Sequence, residues 1–237
     1  MVLKGFYKVE FATNGSKGRS VMYAQDGVML GGNSAFAHLG VYRDVDDEVV
    51  AEITTQRHNH DPSYKAMLVD DVRTICITGR PHDDGTFRFF GGVRDMPGVT
   101  FESVMTPLGE NEIALMPGAV GDGGIVNGLY SIHLRMLDGI GGGNTGVMLL
   151  HNGRIFGGDA FFYYVGSYTT ANGRWKGQVL NQEHTPARGA DAIFGGHEVG
   201  IGFSGTCADE DAHIEATALV GKRSVRFTAA LKLLRRA

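Results

Sequence analysis

Apolar residues fall at every second position along short stretches of this chain, and those stretches are separated by glycine-bearing turn dipeptides. Tyr7, Val9 and Phe11 share one face, as do Tyr130, Ile132 and Leu134. Near the end, Val225, Phe227, Ala229, Leu231 and Leu233 alternate with Arg226, Thr228 and Lys232. A period of two is the signature of half-buried strands. Asp26-Gly27, Asn152-Gly153 and Asn172-Gly173 suit two-residue hairpins, whose central residues both take positive φ. The pattern predicts eight strands in the first half, over 5–12, 19–24, 27–31, 34–43, 48–58, 73–79, 86–94 and 98–106, and eight more in the second. Helical periodicity is weak throughout. Residues 59–72 are left as a short helix or an irregular loop.

The two halves are copies of one unit. Gly27-Val28-Met29-Leu30-Gly31-Gly32 aligns with Gly153-Arg154-Ile155-Phe156-Gly157-Gly158 at an offset of 126 residues. The same offset pairs Phe36 with Phe162, Gly40 with Gly166, Tyr42 with Tyr168, Gln56 with Gln182, His58 with His184 and Phe101 with Phe227. Gly5-Phe6-Tyr7 matches Gly128-Leu129-Tyr130 at 123. The expected organisation is therefore 1–108, a Gly- and Pro-bearing linker over 109–127, and 128–237. Eight short antiparallel strands leave two open edges unless the sheet closes, so an up-and-down barrel is the expected architecture, with a sandwich as the alternative. Phe161-Phe162-Tyr163-Tyr164 puts aromatics on both faces of one strand, so one face is covered by the sister repeat or by another chain. The fold class is accordingly all-β, two tandem eight-stranded antiparallel barrels packed as an intrachain pseudo-dimer, with a homodimer also open.

Composition narrows the function. Of 237 residues 36 are glycine and only 6 proline, with 43% hydrophobic, which suits a packed, turn-rich β protein rather than a disordered one. The net charge of −4 gives no nucleic-acid footprint. No apolar run reaches membrane-spanning length, and the first ten residues lack a basic-then-apolar leader, so a soluble cytoplasmic protein is expected. Cys76 and Cys207 are read as free thiols.

Few motifs carry chemistry. Gly200-Ile201-Gly202-Phe203-Ser204-Gly205 has the spacing of a dinucleotide fingerprint, but Ile201 and Phe203 alternate as in a strand and no helix is predicted after them. His58-Asn59-His60-Asp61 is the densest ligand-like cluster, yet its counterpart is His184-Thr185-Pro186-Ala187, so no metal site or cofactor is expected. No nucleophile elbow occurs, and neither cysteine has a repeat partner; the chain is read as non-enzymatic. Tyr7, Phe36, Tyr42, His58, Tyr130, Phe162, Tyr168 and His184 are the candidate ligand-lining residues, able to enclose a small apolar or lipid-like molecule with a few polar contacts. Asp44, Asp46, Asp47 and Glu48, on a hairpin tip, are the candidate docking patch for a basic protein.

The motif G-x-Y-x-I at Gly128, Tyr130 and Ile132, N-G-x-x-x-G-G-D at Asn152, Gly153, Gly157, Gly158 and Asp159, and Y-x-G at Tyr164 and Gly166 resemble the Grl-type negative regulators of type III secretion. The first half keeps Gly5, Tyr7, Gly27, Gly31, Gly32 and Gly40, with Asn33 for the acid and His38 for the tyrosine. That resemblance implies a lipocalin-like eight-stranded barrel with an apolar interior, dimer formation, and repression through capture of a transcriptional activator by an acidic stretch after the Y-x-G strand. Asp44, Asp46, Asp47 and Glu48 stand at that stretch in the first half, and the second half lacks it.

Overall fold

The computed structural model describes residues 2–61, 67–68, 70–109, 116–137, 144–187, 194 and 198–237. They form two units, Met1–Gly109 and Glu110–Ala237. In the first unit the strands are β1 (Gly5–Thr13), β2 (Ser16–Gln25), β3 (Val28–Gly32), β4 (Phe36–Val45), β5 (Glu48–Arg57), β6 (Val72–Pro81), β7 (Phe87–Val93) and β8 (Thr100–Pro107). The second has β9 (Gly128–Met136), β10 (Thr145–His151), β11 (Arg154–Gly158), β12 (Phe162–Ala171), β13 (Arg174–Glu183), β14 (Val199–Cys207), β15 (Asp211–Val220) and β16 (Arg223–Arg236). Each unit is an antiparallel meander whose first and last strands pair, β1 with β8 and β9 with β16. Both sheets are closed barrels, so no strand edge is left unpaired and the sandwich alternative falls. No helix occurs among the described residues, and those of 59–72 that are described are non-helical.

Turn chemistry sets the register. Asp26 and Gly27 take φ of 51° and 81°, Asn152 and Gly153 49° and 80°, Asn172 and Gly173 51° and 72°. All three dipeptides therefore close tight hairpins whose twist matches the flanking strands. The repeated second glycine, Gly31 and Gly157, has a different cause. A Cβ there would sit 2.1 Å from the Val21 carbonyl oxygen and 2.4 Å from that of Val147, so only glycine lets β3 and β11 approach the preceding strand.

Inside the first barrel, Tyr7, Val9, Met22, Met29, Ile53, Ile75, Ile77, Phe87 and Phe89 pack as one core. Inside the second, Tyr130, Ile132, Met148, Leu150, Ile155, Tyr168, Trp175, Ile201, Phe203 and Phe227 do the same. Each fully buried side chain of this size contributes about 1.5–3 kcal/mol, which makes these interiors the main source of stability.

Residues 116–127 correct the expected linker in part. They belong to the second unit and lie along its β12–β13 hairpin, where Val120 bridges Thr170 in parallel. Gly118 N–H donates to Gly153 O at 3.0 Å, Gly121 N–H to Thr170 O at 2.8 Å and Ile125 N–H to Thr170 Oγ1 at 3.0 Å. Ile125 is buried. Residues 110–115 of that expected linker lie outside the described residues.

Candidate functional site

One pole of each barrel is closed by tyrosines. Tyr7 points inward from β1, and its hydroxyl donates to Lys4 O at 2.9 Å; Tyr42, from β4, donates to Leu3 O at 2.6 Å. In the second barrel Tyr130 donates to Val126 O at 2.9 Å, and Tyr168 reaches Asn127 Oδ1 at 3.3 Å. Both pairs tie down the segment that enters the first strand, and Tyr7 and Tyr168 meet Phe87 and Trp175 edge-on. Burial raises the pKa of all four hydroxyls, so they remain protonated donors. These four residues were expected to line a ligand; their hydroxyls are instead spent on three backbone carbonyls and the Asn127 side-chain oxygen, and their rings are buried or half-buried at the pole.

His58 and His184 act at the opposite end, in a latch built twice. Asn33 Oδ1 accepts from Ala35 N–H at 3.0 Å and Phe36 N–H at 2.9 Å, and Asp159 Oδ1 from Phe161 N–H at 2.7 Å and Phe162 N–H at 2.8 Å. The histidine at the end of the next hairpin then points Nε2 at the main-chain carbonyl of that turn residue, 3.0 Å for His58 to Asn33 and 3.4 Å for His184 to Asp159. A carbonyl accepts only, so the imidazole proton of each bond sits on Nε2. The latch explains why the Asn/Asp and His positions recur at one offset without invoking a ligand. Asn59 extends it, donating to Ser34 O at 3.2 Å and accepting from Asp61 N–H at 3.1 Å. The cluster His58-Asn59-His60-Asp61 is thus a strand exit, and no three metal-ligating side chains converge among the described residues.

Phe36 lies at the same end of the first barrel with the Arg57 guanidinium 4.6 Å from its ring centroid. Phe162, its repeat partner, lines a cavity. That cavity occupies the second barrel between Ile132, Met148, Phe162, Val179, Ile201 and Phe227, with a volume of about 70 Å³. Among the polar residues that line it are Tyr164 and Asn181. Tyr164 sits over Gly157, and its hydroxyl is tied to the Val147 carbonyl at 2.5 Å; burial raises its pKa strongly. Asn181 is 5% exposed, and its Nδ2 has no hydrogen-bond partner among the described residues. An apolar chamber with one orphaned donor fits a molecule with a small hydrocarbon body and one acceptor. Since one water needs about 10–15 Å³ on this measure, the space holds a few heavy atoms and not an entire lipid.

Phe162, singled out in the sequence, lies on the cavity wall, and so does Asn181, which the sequence reading did not single out. The signal was available, since Trp175, Val179 and Asn181 share parity on β13 and the first two belong to the core.

The acidic tip is a two-residue turn, Asp46-Asp47, between Val45 and Glu48. Asp44, Asp46 and Asp47 are exposed, with Asp46 at φ 54°, whereas Glu48 accepts from Arg80 Nε at 2.9 Å. The dinucleotide-like glycines lie within β14, where backbone N–H groups serve the sheet ladder.

No family model matches the chain, and no curated protein matches it in sequence. Among solved structures it is similar to a candidate outer membrane protein from Bacteroides fragilis, at 10% identity and a TM-score of 0.27 over 98% of this chain and 97% of that one. A protein of unknown function from the DUF3598 family of Nostoc punctiforme is 6% identical, with a TM-score of 0.27 over 98% and 96%. The Aeromonas veronii immune modulator A is 11% identical, with a TM-score of 0.23 over 98% and 95%.

Proposed function

We propose that this is a non-enzymatic small-molecule-binding protein, and that its second barrel holds a short apolar molecule bearing one hydrogen-bond acceptor. The observation that carries the reading is the buried Asn181 amide, turned into an apolar cavity with its Nδ2 unpartnered among the described residues. A buried donor without an acceptor costs about 1–3 kcal/mol, and a carbonyl oxygen delivered by a ligand removes that cost. Titrating methyl-labelled full-length protein with 2-pentanone tests it. Saturable shifts of Ile132, Ile201 and Ile214 are expected, with about fivefold weaker binding in Asn181→Leu, the worth of one neutral hydrogen bond. The absence of saturable shifts in the second barrel refutes the reading.

A second reading, regulation by contact with a basic protein such as a transcriptional activator, is supported by the exposed Asp44, Asp46 and Asp47. It extends the resemblance to the Grl-type regulators. Replacing all three by Asn should leave the fold intact and flatten the salt dependence of binding to a Lys/Arg-rich partner. Unchanged affinity and unchanged salt slope refute it.

A further inference from the structure

The two barrel interiors are built on one plan but filled with opposite chemistry. In the first barrel, His38 on β4 lies directly opposite Thr55 on β5, and Thr55 directly opposite Arg73 on β6. All three have inward parity. Gly40, next inward on β4, abuts Ile53 and Met29, and Arg73 continues the row of the core residues Ile75 and Ile77. Side chains directly opposite on one face have Cβ atoms about 4.5–5.5 Å apart, so the three form one continuous polar row. Across the barrel, Phe11 meets the His38 ring edge-on at 6.1 Å and stacks on Phe101 at 5.8 Å. Thr13, one inward position beyond Phe11, pairs with Phe101 in register.

This row holds polar atoms with nothing to bind. His38 is 9% exposed and Thr13 4%, and His38 Nε2, Thr13 Oγ1 and Arg73 Nε are buried with no hydrogen-bond partner among the described residues. Arg73 Nε can only donate, while the threonine hydroxyl and a neutral imidazole can donate as well. Three donors call for one group that is all acceptor, and a carboxylate offers about four lone-pair sites.

Charge favours the same group. Arg57 and Arg73 both have inward parity at this end, and their side chains are 10% and 27% exposed. Their acidic partners, Asp71 and Asp70, are 61% and 52% exposed. The cationic ends are thus less exposed than their acidic partners, which suits an anionic group at this end of the barrel. At the matching positions the second barrel has Met136 for Thr13, Tyr164 for His38, Asn181 for Thr55 and Val199 for Arg73. The cation and all three orphaned atoms are thus confined to the first repeat.

We propose that the first barrel binds a short-chain carboxylate, its oxygens on Arg73, His38 and Thr13 and its alkyl body against Phe11 and Phe101. The site is independent of the Asn181 cavity and answers to different chemistry.

The test uses full-length protein and butyrate, with butyramide as the neutral molecule of equal shape. Calorimetry should show saturable butyrate binding at one site per chain, and butyramide at least about tenfold weaker, because hydrogen bonds to a charged acceptor are the strong class. Arg73→Val installs the residue that the sister barrel carries at this position, and it should abolish the preference for butyrate. Asn181→Leu should leave butyrate binding unchanged, which separates this site from the proposed ketone site. In the unmodified protein, histidine ring nitrogen spectra should show the His38 signal moving with butyrate, a readout that needs no variant. A site occupied by ordered water alone gives no saturable heat and no His38 shift, and that result overturns the proposal. So does equal binding of the amide, or a butyrate affinity unchanged in a folded Arg73→Val.

Discussion

Acid should weaken the first barrel through a single imidazole, and His38→Leu isolates the effect. His38 lies inside the barrel, where burial, helped by the nearby His58, pushes its pKa from the ordinary 6.5 down to about 4. A base whose pKa is lowered in the folded state is held neutral there, while the unfolded chain takes up a proton. Stability from this group is therefore complete above pH 6.5 and falls as pH drops toward 4, below which both states are protonated. Linkage gives a loss of about 2 kcal/mol by pH 5 and about 3 kcal/mol by pH 4, relative to neutral pH. Leucine has a similar volume, does not titrate and removes an unpartnered buried nitrogen, so the variant should match or exceed the parent at pH 7. The assay is urea unfolding of both full-length proteins at pH 7, 6, 5 and 4 in carboxylate-free buffer, read as the difference between them. Subtraction cancels the groups remote from position 38, and the charged neighbours whose titration still couples to it are His58, Arg57, Arg73, Asp70 and Asp71. The gap should open in favour of leucine as pH falls. Parallel stability curves would mean that His38 is solvated or proton-accepting in the folded barrel, and the polar row argued above would lose its imidazole.

Three further outcomes follow from the geometry. Gly31→Ala places a methyl against the Val21 carbonyl and should cost about 3 kcal/mol or more in urea unfolding, whereas Gly200→Ala, with open space at that position, should stay within about 0.5 kcal/mol. Tyr130→Phe removes the donor to Val126 O and should cost about 1 kcal/mol, read as a lower midpoint with an unchanged m-value. A fragment of residues 128–237 lacks the strap that buries Ile125 and caps the β12–β13 hairpin, so it should melt on the order of 10–20 °C below a fragment of 110–237; equal melting temperatures would show the strap to be ornamental.

The fold was legible because its determinants are local. Alternation marked the strands, and Asp26-Gly27, Asn152-Gly153 and Asn172-Gly173 marked the turns; Asp26, Asn152 and Asn172 take positive φ as those turns demand. Closure was legible only as an argument about edges, since no residue of β1 announces β8. The site was less readable. Tyr7, Tyr42, Tyr130 and Tyr168 look the same in sequence whether they face a ligand or plug a pole, and what separates the two is where Leu3, Lys4, Val126 and Asn127 place their acceptors. The strap was hidden for the same reason. Gly118 and Gly153 read as flexible or turn residues, yet a Cβ on Gly118 would lie 2.0 Å from Tyr168 O and one on Gly153 2.1 Å from Gly118 O. Gly118, and Gly153 beyond its turn, also reflect close approach of backbone to backbone, which only tertiary structure reveals.

What the duplication preserved and what it released define the molecule. The positions identical in both halves serve the frame: Gly31 and Gly157 for strand approach, His58 and His184 for the latch, Tyr42 and Tyr168 for the plug. Among the positions that differ are inward-facing ones near the latch end, where Thr13, His38, Thr55 and Arg73 stand against Met136, Tyr164, Asn181 and Val199. A purely structural barrel has no reason to keep an arginine, a histidine and a threonine with unpartnered buried atoms, because the sister barrel closes with Val199, Tyr164 and Met136 at the same places, and the Tyr164 hydroxyl there is hydrogen-bonded. Retaining that row costs stability in the first repeat, and the cost is offset only if something enters and satisfies it. On the proposed reading the same frame carries two interiors, one that selects for charge and one that selects for hydrocarbon with a single acceptor. Exchanging the row between repeats, Arg73→Val with Thr55→Asn in one direction, should move the selectivity with the residues and leave both barrels folded.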